Sequence, residues 1–567
     1  MIVGIDLGTT NSLVAVWFGD GPRLVANSLG SVITPSVVGL DDEGRVLVGQ
    51  AARERLQTHP ELTAALFKRH MGSGHETALG QRRFRPEELS ALLLRSLKED
   101  VERAYGEPVE EAVISVPAYF SDAQRKATRI AGELAGLKVE KLVNEPTAAA
   151  LAYGLHHKDK ETSFLVFDLG GGTFDVSILE LFEGVMEVRA SAGDNFLGGE
   201  DFDNALVQHF IASQRQDRQF PDVAAPGVQH RLRREAERVR QALGQQASET
   251  FGFSHGGRQW ELEISQDDLL KVSGALLERL RGPIERALRD ARIRVADLDE
   301  VLMVGGTTRM PLVRKLAAGL FGRFPALHIN PDEAVALGAA VQAALKSRAA
   351  ALEEVVLTDV CPYTLGIETT VQFGRQYESG HYLPIIERNS VVPVSRVKTV
   401  QTLQDGQSRV LLQVYQGESR LVKDNIALGE LDIPVPPRKA GEVKLDVRFT
   451  YDNNGILEAE VTLPESGTRH SLVIEKNPGV LTPEEIRERL AALAQLKVHP
   501  RDQLLNTTLL ARLERLYQEH LGDTREALAQ MVGHFQQVLG EQDPQRIDSL
   551  RASIEAQLDE LERPSWR

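Results

Sequence analysis

Residues 164–177 read FLVFDLGGGTFDVS, a pattern of strand, tight turn and strand. Residues 164–167 form an apolar run of the kind a buried strand shows. Asp168 ends the run, Gly170, Gly171 and Gly172 follow, and 174–178 returns to an extended pattern. Glycines leave backbone N–H groups bare, and concave arrays of such groups bind anions. Asp168 and Asp175 flank the turn. Two carboxylates beside an anion site suit a hard cation with oxygen ligands, most simply Mg²⁺ keeping its waters.

The same design stands at residues 2–12, IVGIDLGTTNS, where Asp6 is followed by Gly8, Thr9 and Thr10. One such copy alone is no more than a glycine hairpin. Two copies, each led by a buried-strand pattern and each with an acid and a glycine turn, point to two matching halves facing one triphosphate.

Seven motifs in order carry a family resemblance: IDLGTTNS, VPAYFSDAQRKAT (116–128), NEPTAAALAYGL (144–155), FDLGGGTFDVS, LGGEDFD (197–203), VGGTTRMP (304–311) and INPDEAVALGAAVQ (329–342). Together they resemble the DnaK-type heat-shock chaperones, the seventy-kilodalton class, from the first residues to about 476 and more loosely beyond. ALFKRHMGS, SLKEDVE, SAGDNFLGGEDF, CPYTLGIE and IIERN resemble its HscC branch most. The resemblance implies a multidomain chain: an actin-like α/β ATPase domain over 1–352, a linker over 353–359, an antiparallel β-sandwich that binds peptides over 360–476, and an α-helical lid over 477–567.

Composition agrees with several domains, since 567 residues are too many for one core. A net charge of −16 argues against a nucleic-acid-binding surface. One cysteine, Cys361, cannot form an internal disulfide, which suits a reducing cytoplasm. No basic segment followed by an apolar one opens the chain, so no signal peptide is expected. No uninterrupted apolar run reaches about 18 residues, so no membrane span is expected either.

Along the chain, 86–105 is an amphipathic helix with Leu89, Leu92, Leu93 and Leu97 on one stripe, closed by Gly106. Pro117 stops a buried strand, and Ser121 with Gln124 forms a capping box. Read alone, Lys68 is a surface lysine, Arg125 a helix-surface charge, and Glu145 a complement to a helix N-terminus. The resemblance assigns them more. It makes Lys68, Glu145, Asp168 and Thr173 catalytic, and it makes Asp6, Asp168 and Asp175 the holders of Mg²⁺ and its water shell. ATP would lie on Asp6, Gly8, Thr9, Thr10 and Asn11 of the first turn and on Gly170, Gly171 and Gly172 of the second. It would also meet Gly198, Gly199, Glu200 and Asp203. Glu237 and Arg240 would form one jaw of an adenine clamp; Gly305, Gly306, Arg309 and Asp332 would form the other. K⁺ is an optional further cation. Gln241 and Gly244 depart from the family's usual residues, and the missing hydroxyl at 244 takes away one adenosine contact. The arginine-rich run 230–246 has Glu235 and Glu237 interleaved, so it reads as a solvated face.

Residues 353–359, EEVVLTD, could by composition be one more strand. An apolar linker can dock on either neighbour and so report nucleotide state. Pro117, Arg125, Leu357 and Asp359 would carry that signal by resemblance. Short alternating runs at 397–402, 410–415, 444–451, 457–463 and 470–474 with Gly/Asn turns predict the sandwich. By position in the family, Ile367, Thr369, Thr370, Leu403, Val410 and Leu412 would line its peptide pocket, although each is equally plausible as core. Helices are expected at 482–497, 502–521, 523–540 and 544–562, forming a bundle over the sandwich. The family implies client polypeptides and a J-domain co-chaperone near the linker and Lys141; it leaves open whether an exchange factor is needed. A sugar-kinase or filament-like ATPase without peptide coupling is the rival reading, and the sandwich after residue 360 speaks against it.

Overall fold

The computed structural model describes the chain except residues 20, 155–160, 183–184, 215, 326–329, 347–355, 374–375, 452–456, 474–503, 521, 542–543 and 563–567. The expected boundaries at 352/353 and 476/477, and the helix at 482–497, lie outside the described residues.

Two sheets of like design build the first 346 residues. In the first, Ile2–Asp6 runs parallel to Glu111–Val116 and antiparallel to Asn11–Phe18. In the second, Thr162–Leu169 runs parallel to Glu300–Val304 and antiparallel to Phe174–Phe182. Each acid-ended strand thus has a parallel partner on one side and its own hairpin partner on the other. Both faces are covered, which is why Phe164, Leu165, Val166 and Phe167 are all fully buried.

Two helices, Glu145–Gly154 and Ala334–Lys346, pack between the halves. Their closeness depends on missing side chains. A Cβ on Gly338 would stand 1.6 Å from the Ala148 carbonyl oxygen, and one on Gly4 would stand 2.1 Å from the Ala340 nitrogen. The outer part of the second half is closed by Pro226–Ala242 and the hairpin of Ser248–His255 with Arg258–Ser265, where Phe210 stacks on Phe251.

The linker's described part is a strand. Val356–Val360 pairs parallel with Val185–Asp194 and extends the second sheet, and Val391–Val392 pairs with it in turn. Leu357 lies in this strand opposite Met186. The sandwich follows as two antiparallel four-stranded sheets. Its core includes Ile367, Leu412, Val414, Val447, Phe449 and Val461. The expected strands are present, together with Leu365–Phe373, Gln376–Ile386 and Ile426–Pro434.

Leu504–Glu519, Asp523–Glu541 and Pro544–Leu561 form a bundle around Leu513, Leu516, Leu528, Phe535 and Leu558. The sequence reading put this bundle over the sandwich. The described helices instead pack chiefly against Gln50–Thr58 of the first half, where Arg515 meets Glu54 in a buried ion pair at 2.6 Å. Among the described residues, no helix is long and apolar enough to cross a membrane.

Candidate functional site

The two glycine turns face each other and interlock. A Cβ on Gly171 would come within 2.3 Å of Thr10, one on Gly172 within 2.7 Å of Thr9, and one on Gly198 within 2.4 Å of the Gly172 nitrogen. Glycine is needed here because three backbone segments meet. The Gly199 and Glu200 amides donate to the Gly170 and Gly171 carbonyls at 3.0 and 2.9 Å, and the Thr307 hydroxyl donates to Gly170 at 2.9 Å.

Below the turns sit Asp6, Asp168, Asp175 and Glu145, with one cation, Lys68. All are almost buried. Lys68 Nζ donates to Glu145 Oε1 at 2.7 Å and lies 5.5 Å from the centre of the Phe120 ring. Asp6 accepts from the Ser115 hydroxyl at 2.9 Å, and Asp175 accepts from the Tyr119 amide at 3.2 Å. Asp168 Oδ2 is buried with no protein partner. Burial, reinforced by the charge of Glu145, pushes Asp6 up to about 7 and Asp175 up to about 8. The same causes raise Asp168 well above the usual carboxylate range.

A cluster so rich in carboxylates, with one oxygen left unpartnered, suits a divalent cation. Among the described residues no group of three His, Cys, Asp or Glu side chains is arranged to ligate a metal directly. The donor set therefore fits Mg²⁺ held through its waters and through substrate phosphates rather than in a protein cage.

From the turns a cavity of about 870 Å³ runs outward past Asn11, Gly199, Glu200, Asp203, Glu237, Arg240, Gly306, Arg309 and Asp332. Burial raises Glu200 to about 7 and Asp203 to about 6. Arg240 is held by both oxygens of Asp203, at 2.6 and 3.1 Å. Across the cavity Arg309 is held by Asp332 at 2.6 and 3.0 Å and by Asn330 at 2.7 Å. Gly305, at φ 82°, has no room for a side chain because a Cβ would stand 2.4 Å from the Leu169 oxygen. Thr173, Gly8 and Gly170 lie in or beside the turns, and Gln241 and Gly244 line the cavity rim.

The signalling residues also come together. Arg125 donates to the Ala118 and Phe120 carbonyls and to Asn144 Oδ1, so it clamps the backbone just after Pro117. Asn144 in turn holds Asp359 of the linker strand. Lys141 is not a free surface charge: it is partly buried and donates to Gln342 at 3.2 Å.

The six expected peptide contacts do not gather into one open pocket. Strand alternation turns Ile367 and Leu412 into the core, 1% and 3% exposed, with Val410 packed against it. Thr369 and Thr370 are half-buried, and Leu403 stands out at a loop. Sequence reasoning missed Arg69, which reaches Asp201 at 2.6 Å and the Gly172 carbonyl at 3.2 Å. It also missed Tyr363, whose hydroxyl donates to the Tyr119 carbonyl at 2.5 Å. Position beside a motif was the only available signal for either.

Comparison with known proteins agrees with this arrangement. The family model described as Hsp70 protein matches residues 2–82 and 74–565. "Chaperone protein DnaK" of Thermotoga petrophila is 42% identical over 493 residues, 83% of this chain and 80% of that protein. The protein of the same description from Mycoplasma mobile is 40% identical over 496 residues, 86% of this chain and 80% of its own. The chain belongs to the Hsp70 family and is an ATP-dependent chaperone, an ATPase, of that family.

Proposed function

We propose that ATP lies in the cleft with its phosphates in the two facing turns and its base between the Arg240 and Arg309 sides. Asp6, Asp168 and Asp175 would hold Mg²⁺ by its waters, and the cation would neutralise charge on the phosphates. Lys68 steadies the γ-phosphate, Glu145 and Asp168 orient the attacking water, and Thr173 completes the turn beside it. Such catalysis is positioning plus electrostatics. Gly244 leaves the base edge loosely held.

Hydrolysis is coupled to capture and release of extended apolar segments of client polypeptides by the sandwich, with Leu403 at the rim of the binding surface. The observation that carries this reading is one continuous hydrogen-bonded path. Lys68 bonds Glu145; its chain neighbour Asn144 bonds Asp359 in the strand that leads into the sandwich. Work in the cytoplasm, a J-domain co-chaperone, and membership of the HscC branch belong to the same proposal. The test measures peptide dissociation with and without ATP. Faster release with ATP is expected; an off-rate indifferent to nucleotide sinks the coupling.

A further inference from the structure

The C-terminal bundle sits at the mouth of the nucleotide cleft, and its contacts involve both sides. Gln50–Thr58 forms the rim of the first half, and Pro226–Ala242 forms the rim of the second. Directly between the two rims stands one ion pair, Arg53 with Glu237 at 2.9 Å, whose side chains are 40% and 34% exposed. An exposed pair of this kind contributes about 0–1 kcal/mol and holds little by itself.

Leu504–Glu519 adds a stronger connection. The Arg515 guanidinium, 5% exposed, donates to Glu54 at 2.6 Å, to Glu519 at 3.0 Å, and also to Glu562 from the last helix. In the amide orientation that satisfies both neighbours, Gln57 donates to Glu519 at 2.9 Å and accepts from Arg234 at 2.6 Å. Arg515 thus seats the bundle on the first rim, and Glu519 reaches the second rim through Gln57.

We infer that the C-terminal bundle is a clasp across the nucleotide cleft, so that nucleotide leaves only after Arg515 lets go of Glu54. Parting the rims otherwise strands a buried arginine without its carboxylate, and breaking a buried pair from one side is costly. The bundle therefore does for its own chain what an external exchange regulator would do: it sets how often the cleft opens. The inference rests on the cleft being the nucleotide site.

The test is stopped-flow release of fluorescently labelled ADP and of a labelled non-hydrolysable ATP analogue from the full-length chain. Arg515→Glu should speed release of at least one of them about tenfold, the factor that corresponds to about 1.4 kcal/mol. Glu519→Lys, which leaves the Arg515 seat in place, should speed it too. Exchanging the charges, Glu54→Arg with Arg515→Glu, should restore slow release and so separates the clasp from general misfolding. Unchanged release of both nucleotides in Arg515→Glu or Glu519→Lys overturns the clasp, and so does a charge exchange that fails to restore slow release. If the unaltered protein binds neither nucleotide, the cleft reading itself falls, and the clasp with it.

Discussion

The Asp359 carboxylate accepts from the Asn144 side-chain amide at both oxygens, at 2.9 and 2.8 Å. This joins the linker strand to the residue next to Glu145. Asp359→Ala should therefore undock the linker, abolish acceleration of peptide release by ATP, and leave nucleotide binding in place. Peptide off-rates with and without ATP, beside a nucleotide-binding isotherm, check this.

Docking should also depend on pH. Burial raises the Asp359 carboxyl above its ordinary value of 3.8, to which it returns once the linker is free. The docked state therefore holds the proton more tightly. This contribution to docking is fully present below 3.8 and is lost as pH rises through the docked-state value. Protease protection of the linker should be greater at acid pH than at alkaline pH, and Asp359→Asn should flatten the difference. Protection that rises with pH in the unaltered protein would contradict the sign.

Lys68 is the one cation inside the carboxylate cluster, bonded to Glu145. Lys68→Ala should still bind ATP, because the turns remain, but single-turnover hydrolysis should slow on the order of 10²-fold or more. Near-normal single-turnover hydrolysis would remove Lys68 from the chemistry.

Asp175 is buried and raised mainly by burial, then by the charge of Glu145. Asp175→Asn removes a charge that nothing offsets without a cation. The nucleotide-free protein should melt higher, by about 2–4 °C. The extra stabilisation given by ATP with Mg²⁺, and erased by EDTA, should shrink. Calorimetry with and without chelator reads both, and an unchanged EDTA effect would place the cation elsewhere.

Gly338 tests the seam between the two central helices. With its Cβ 1.6 Å from the Ala148 oxygen, Gly338→Ala should cost at least about 1–3 kcal/mol. Gly319 lies in a helix with nothing within 4 Å of such a Cβ, so Gly319→Ala should be neutral or stabilising by about 0.5–1 kcal/mol. Denaturant titration of the pair separates crowding from helix propensity.

Much was legible in the chain itself. Asp6 and Asp168 end apolar runs and precede glycine turns, a local pattern that strand burial and backbone geometry impose whatever surrounds it. The same holds for the capping box of Ser121 with Gln124 and for the alternating strands of the sandwich, because periods of 3.6 and 2 are local properties. Family motifs supplied Lys68, Glu145 and Arg125, which reading by itself leaves as surface charges.

Other facts needed the folded chain. Lys68 and Glu145 lie 77 residues apart, Asn144 and Asp359 lie 215 apart, and Glu54 and Arg515 lie 461 apart. No periodicity spans such distances; each pair exists because two separately folded surfaces come into register and a buried charge requires a partner. Amphipathic stripes foretold that the last helices would pack, since an apolar face must be covered. They carried no information about which rim Arg515 would find, and the sandwich strands likewise did not reveal that Ile367 and Leu412 turn inward while Leu403 stays out.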